Sequence, residues 1–221
     1  MAGELKVLVL ISGRGSNLLT LIRSAESYRI TAVVSDRGDA PGLEHARSVG
    51  IPTHTIPREA YPSRTAHRAA LEDLVASLAP DLIALAGFMQ ILPPPFIRAF
   101  AGRIVNIHPS LLPAWPGLDT HARVLAAGET RHGCSVHLVD EGVDTGSVIA
   151  QAALTCSPGD TPGGLAERVL ALEHRLYPWV VSAVARGHIT LAPGLVRCSP
   201  EARDEAARMG FTLPQPSREG R

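Results

Sequence analysis

The chain has 221 residues, 45% of them hydrophobic and 19% charged, with 21 basic residues balanced by 21 acidic ones. That length and apolar content suffice for one sizeable core, and a neutral balance argues against nucleic acid as the main partner, which needs a basic footprint. No run of 18 apolar residues offers a membrane span, no signal-peptide layout opens the chain, and three scattered cysteines read as reduced thiols in a cytoplasm.

Residues 6–11 (KVLVLI) form a buried strand, followed by the loop SGRGSN and a helix over 18–24. A second strand covers 31–35, a helix 41–49 and a short third strand 53–56. Residues 63–78 carry Ala66, Ala70, Leu71, Leu74, Val75 and Leu78 near helical spacing. A fourth strand covers 82–86, and PPPF at 93–96 starts a short helix, proline being tolerated in a first turn. A fifth strand runs over 104–107. Strands that are apolar throughout, alternating with helices, predict a parallel sheet covered on both faces. After a helix over 120–127, residues 135–139 and 147–153 pair as a hairpin without an intervening helix, so the sheet becomes mixed. Thr161 caps a long helix to about residue 185, with Pro162 in its first turn and Pro178 bending it. From residue 188 the chain is polar and proline-bearing, and reads as one strand and an arm. No repeat and no long linker divides it.

Ligands of open α/β sheets bind beyond the carboxyl ends of the strands. Four loops are read as leaving such ends: residues 12–17, 87–92, 106–113 and 140–147. In SGRGSN the glycines allow close backbone approach, and amides at a helix N-terminus favour an anion. Leu18 stands where a G-x-G-x-x-G loop needs its third glycine, and no Gly-Lys-Ser/Thr follows. Ser16 and Asn17 add polar side chains, which suits a terminal monophosphate better than a dinucleotide. The competing reading is a plain tight turn.

Asn106 and His108 are two residues apart on a strand, so their side chains share one face while Ile107 points away. An amide donor beside an imidazole suits the stabilisation of an oxyanion and the passing of a proton. Pro109 and Pro113 stiffen the loop that follows. Asp140, Glu141 and Asp144 read first as a solvated acidic loop. Asp144, placed before Thr-Gly and a strand, can also turn inward to an imidazole, fixing its tautomer and favouring its charged form. Glu173 lies mid-helix among Val169, Leu170, Leu172, Leu176 and Tyr177, either at a boundary or aimed at a ligand. His132, Cys134 and His137 do not read as a metal set, because strand alternation splits them between two faces.

The segments LISGRGSNL (10–18), DLIALAGFMQIL (81–92), GRIVNIHPSLLPAWPG (102–117), HGCSVHLVDEGVDTGSVIAQ (132–151) and ERVLALEHRLYP (167–178) together resemble the formyltetrahydrofolate-dependent formyltransferases. NIHPSLLP marks that wider group. The G-x-GSN loop, the compact length and the Glu-His pair of the long helix are similar to its phosphoribosylglycinamide formyltransferase family. The resemblance implies an α/β, Rossmann-like open twisted sheet, mostly parallel with an antiparallel C-terminal part. It implies one domain over residues 1–190, with a phosphate-binding half to about 100, a catalytic and folate half from about 101, and a tail over 191–221. The implied reaction moves a formyl group from 10-formyltetrahydrofolate to the amine of glycinamide ribonucleotide, giving formylglycinamide ribonucleotide and tetrahydrofolate in de novo purine (IMP) biosynthesis. No metal is implied, and the expected state is a cytoplasmic monomer or homodimer acting on small molecules.

By the same resemblance Asn106, His108 and Asp144 are the catalytic trio. Gly15, Ser16, Asn17 and Glu173 hold the ribonucleotide. Arg64, Met89, Gln90, Ile91, Leu92, Asn106, Asp140, Glu141, Val143 and Asp144 surround the folate. Two positions depart from the family pattern: Arg14 in the first loop, and Asp119 where a histidine often stands, which puts second-histidine assistance in doubt. Among rival readings, a methionyl-tRNA formyltransferase needs a basic C-terminal domain that this tail is too short to supply. A formyltetrahydrofolate hydrolase carries an N-terminal regulatory domain, and a sugar-nucleotide formyltransferase fits the monophosphate-type loop poorly. A dinucleotide-binding oxidoreductase would use Asp36, 21 residues after Gly15, on a ribose hydroxyl, but lacks the third glycine.

Overall fold

The structure, a computed structural model, describes residues 4–215. The first half runs β1 (Leu5–Ile11), α1 (Ser16–Arg23), β2 (Tyr28–Ser35), α2 (Gly42–Arg47), β3 (Thr53–Thr55), α3 (Arg64–Leu78), β4 (Leu82–Leu85) and α4 (Pro94–Ala99). There follow β5 (Ile104–His108), α5 (Thr120–Ala126), β6 (Arg131–Leu138), β7 (Val148–Thr155) and α6 (Pro162–Ala185). The chain closes with β8 (Ile189–Ala192), β9 (Leu195–Cys198), α7 (Pro200–Met209) and β10 (Phe211–Thr212).

Eight strands make one sheet in the order β10-β7-β6-β5-β4-β1-β2-β3, and β8 and β9 form a separate hairpin. Pairing is parallel from β3 through β5 and antiparallel at β5–β6, β6–β7 and β7–β10. The mixed α/β sheet expected from the strand patterns is therefore present.

The reason lies in β1. Val7, Val9 and Ile11 pack on one face with Leu18 and Leu21 of α1 and Tyr177, Val180 and Val181 of α6. Leu8 and Leu10 pack on the other with Leu71 and Val75 of α3 and Phe96 of α4. Every one of these side chains leaves water, each contributing about 1.5–3 kcal/mol where it is large and fully buried. The helices start where side-chain oxygens accept orphan amides: Ser63 from Ala66, Thr161 from Gly164, Ser199 from Ala202. The Tyr177 hydroxyl sits 3.0 Å from the Leu85 carbonyl and 3.1 Å from that of Val105, pinning α6 beneath β4 and β5.

The end of the chain departs from the expected strand and arm. It holds a hairpin, a ten-residue helix and an edge strand that joins the main sheet against Gln151 and Ala152. The helix was hidden by its polar composition, because its buried face is only Ala202 and Ala206. Its start signal, Ser199-Pro200-Glu201, is nevertheless an N-cap followed by proline in the first turn. Residues 216–221 of the expected tail lie outside the described residues.

Candidate active site

A cleft of about 510 Å³ runs from the end of β4 across β5 to β6 and the segment that follows it. Asn106 and His108 share the face of β5 turned toward it, as the two-residue spacing predicts. The antiparallel register sets His137 of β6 directly across from Asn106 and Ser135 across from His108. This register also corrects one expectation. Because β6 runs opposite to β5, residues 140–147 do not leave a carboxyl end in common with the other three loops. They fold back across the sheet face, and Asp144 is the residue that returns to His108.

Asp144 turns inward in a left-handed conformation with φ of 56°. Its Oδ2 lies 3.3 Å from His108 Nδ1 and accepts from the Gly117 amide at 2.9 Å; its Oδ1 lies 3.6 Å from His137 Nε2. The loop is braced by Asp140, whose Oδ1 accepts from the Thr145 hydroxyl at 2.6 Å and the Gly142 amide at 3.1 Å. A side chain at Gly146 would collide with the Leu138 carbonyl, so the return path requires glycine there.

Partners fix the protons. His137 Nδ1 lies 2.7 Å from the Leu138 carbonyl, so that nitrogen carries the hydrogen and donates. Burial pushes the His137 pKa down, which keeps the ring neutral and leaves Nε2 a lone pair. The Asn106 Nδ2 group, 3.2 Å away, therefore donates to His137, leaving its second hydrogen for a ligand. His108 is flanked by two acceptors, Asp144 at Nδ1 and the Trp115 carbonyl 3.0 Å from Nε2. Both are satisfied at once only by a ring carrying two N–H groups, so the setting accommodates an imidazolium. The sheet thus offers an amide donor and a cation-ready ring side by side. That pairing can hold an oxyanion and hand over a proton.

The walls are apolar. Met89, Ile91, Leu118 and Val143 all line the cleft while being 69%, 68%, 77% and 51% exposed. Among the described residues only Val49 is a comparably exposed large apolar side chain elsewhere. Gathered exposure of this kind marks a surface that a ligand covers.

Of the residues expected around the folate, Met89, Gln90, Ile91, Leu92, Asn106, Asp140, Val143 and Asp144 line the cleft. Arg64 lies in an adjoining basic recess with Arg58, His67 and Arg68, which shares Met89, Gln90 and Ile91 with the cleft. Glu141 is not brought in: it pairs with Arg98 at 2.7 Å on the surface. Gly15, Ser16 and Asn17 sit at the start of α1, and the loop before them is tied to the β4 exit by Ser12, whose Oγ accepts from the Met89 amide. Asn17 and Glu173 meet directly, Nδ2 to Oε2 at 2.8 Å, so that amide hydrogen is already spent on the protein. Asp36, the ribose reader of the oxidoreductase reading, accepts instead from Gln90 Nε2 at 2.8 Å.

Sequence reasoning missed three contributors. The sequence offers His137 only as a candidate metal ligand, and its contact with Asn106 arises from cross-strand register. The Trp115 carbonyl is a backbone group with no sequence signal. His121 also lines the cleft, so a second histidine is present two positions beyond Asp119.

Comparison with known proteins identifies the family. Residues 5–181 match the family described as formyl transferase. The chain is 44% identical over 191 residues to the phosphoribosylglycinamide formyltransferase of Escherichia coli, covering 85% of this chain and 90% of that one. It is 43% identical to the trifunctional purine biosynthetic protein adenosine-3 of Bos taurus, covering 84% of this chain but only 19% of that longer protein. Among solved structures, phosphoribosylglycinamide formyltransferase from Coxiella burnetii superposes with a TM-score of 0.84 at 47% identity, covering 89% of this chain and 94% of that one. Glycinamide ribonucleotide transformylase 1 from Symbiobacterium toebii gives 0.85 at 42%, covering 90% and 96%. The chain belongs to the formyl transferase family, among its phosphoribosylglycinamide formyltransferases.

Proposed function

We propose that the protein transfers the formyl group of 10-formyltetrahydrofolate to the amine of glycinamide ribonucleotide, a step of de novo purine synthesis that it carries out in the cytoplasm. The observation that carries this reading is the Asn106–His108–Asp144 cluster, set beneath a cleft whose apolar side chains are held open to solvent. A flat folate ring covers such side chains, and the loop over residues 89–92 supplies backbone groups to its polar edge. Arg64, with its basic neighbours, is suited to carboxylates at the far end of the same molecule.

The substrate amine attacks the formyl carbon, and the carbonyl oxygen becomes an oxyanion. The free hydrogen of Asn106 Nδ2 and the positive charge of the His108 imidazolium stabilise it, while Asp144 offsets that charge. The bond between the formyl carbon and folate N10 then breaks, and the proton lost by the amine ends on N10. Holding both substrates in one cleft supplies the proximity contribution. The amides of Gly15, Ser16 and Asn17 hold the ribonucleotide phosphate at the start of α1, with Glu173 supporting that loop through Asn17.

The test is direct: purified protein is mixed with glycinamide ribonucleotide and a 10-formyl folate, and the deformylated folate is followed by absorbance. Release dependent on both substrates is expected. Release that is independent of the ribonucleotide, or no release from protein that binds both, overturns the proposal.

A further inference from the structure

Behind the cleft lies a second pair of histidines. His121 Nδ1 and His132 Nε2 are 3.0 Å apart, with the rings edge to face. His121 lines the cleft, whereas His132 is 1% exposed on the opposite face of β6 from His137. His132 Nδ1 is buried and has no hydrogen-bond partner among the described residues. Two neutral imidazoles share one hydrogen, so one ring donates and the other accepts.

The choice follows from the orphan atom. Were His132 protonated at Nδ1, a buried N–H would be left with no acceptor among the described residues, which is the costlier form of an unmade bond. The hydrogen of His132 therefore sits on Nε2 and is donated to His121 Nδ1. That leaves His121 with its hydrogen on Nε2, the nitrogen free of protein partners. Adding a second proton to His121 would set two N–H groups against each other at 3.0 Å. The same arrangement thus holds His121 neutral beside a His108 whose setting accommodates an imidazolium. The pKa of His121 is pushed down by burial first and by His108 second, in the direction this requires.

We propose that His132 is a positioning residue that locks His121 in its Nε2–H tautomer, so that His121 presents a fixed, uncharged N–H donor to an acceptor oxygen of the substrates at the His108 end of the cleft. The inference rests on the formyl-transfer reading for its consequence in catalysis, but the tautomer itself is readable without activity.

Nitrogen-15 spectra of the histidine side chains in the intact protein are expected to show His121 protonated at Nε2 and His132 likewise. A His121 protonated at Nδ1 overturns the proposal, whatever the assay gives. In kinetics, His132→Gln keeps an N–H near the Nε2 position and should hold kcat/KM within about threefold. His132→Leu and His121→Ala should each lower it by roughly tenfold, the scale of one lost hydrogen bond, and the double variant should lose no more than either alone. If His132→Leu costs as much in the His121→Ala background as in the native one, His132 does not act through His121 and the assignment is wrong. Should His132→Leu not fold, the spectra and the glutamine variant still decide.

Discussion

The carboxamide nitrogen of Asn17 donates to Glu173 Oε2 across 2.8 Å, joining the first turn of α1 to the middle of α6 over 156 positions of sequence. Asn17 Oδ1 is left buried without a donor among the described residues. Burial pushes the Glu173 pKa above the ordinary carboxylate value, and the Asn17 hydrogen bond opposes that only in part. A protonated Glu173 carries no buried charge; an ionised one must bear it away from water. With a raised folded pKa, the stabilising contribution is complete below the ordinary value and is lost as pH rises through the raised one. Glu173→Gln keeps the side-chain shape and does not titrate. Thermal unfolding of both proteins between pH 4 and 8 should show the glutamine variant gaining on the native protein as pH rises. A difference constant with pH would mean that Glu173 behaves as an ordinary carboxylate.

Asp144→Asn keeps the side-chain shape and removes the charge shared between His108 and His137. Turnover should fall by roughly 100-fold, a loss of about 2.7 kcal/mol of transition-state stabilisation, with kcat and kcat/KM falling together. The ribonucleotide KM should hold, since its phosphate sits at another loop. A kcat within about threefold of native sinks the electrostatic role assigned to this carboxylate.

Gly15 is a poor place to probe the phosphate loop, despite its position. It has φ of +71°, and a Cβ there would lie 2.6 Å from the Gly42 backbone of α2. Gly15→Val should therefore cost folded protein before it reports on any ligand. Ser16→Ala is the clean probe: half-buried at the start of α1, it should raise the ribonucleotide KM several-fold and leave the folate KM alone. Equal changes in both would assign this loop a structural role.

Ile91→Asp and Val143→Asp place a charge on side chains that are 68% and 51% exposed. Neither should lower stability by more than about 0.5 kcal/mol, as for surface substitutions. Both should weaken folate binding by tenfold or more, because a carboxylate must then be desolvated against the ring. Titration with a folate analogue distinguishes this from a cleft that the folate does not use, for which affinity would be unmoved.

Acid should unfold the protein partly through His132, whose pKa burial pushes down to about 4. A histidine freed by unfolding takes up protons near 6.5. Stability from this group is complete above that value and is lost as pH falls through about 4. His132→Gln should flatten the fall in Tm over that interval. An unchanged slope would mean that His132 is charged in the folded protein.

The half of the site made by local pattern was legible in the sequence. Asn106 and His108 share a face because strands alternate, and α6 began at Thr161 because its hydroxyl accepts an orphan amide. Asp144 could be placed against an imidazole from its turn-forming neighbours, with the geometry left open. What could not be read was anything set by the direction of β6. His137 faces Asn106 only through antiparallel register, and the strand that carries it looks identical in sequence whichever way it runs. The pairing of Asn17 with Glu173 has the same character, since two polar residues far apart in a chain announce no partner. The C-terminal helix failed for another reason: its buried face is only the alanines at 202 and 206, which leave no apolar stripe to detect.

The two-residue strand β10 carries a consequence for handling the protein. It covers Gln151 and Ala152 on the outer side of β7, a strand eight residues long, while Phe211 lies 5.4 Å from the Trp179 ring. Bare strand edges recruit other edges, and a small plug at the middle of one is enough to interrupt that recruitment. Shortening the chain before Phe211 would unplug β7 and uncover Trp179 in one stroke. Such a truncated protein should keep its cleft yet precipitate as its concentration rises, so light scattering rather than an activity assay would be the place to see the damage.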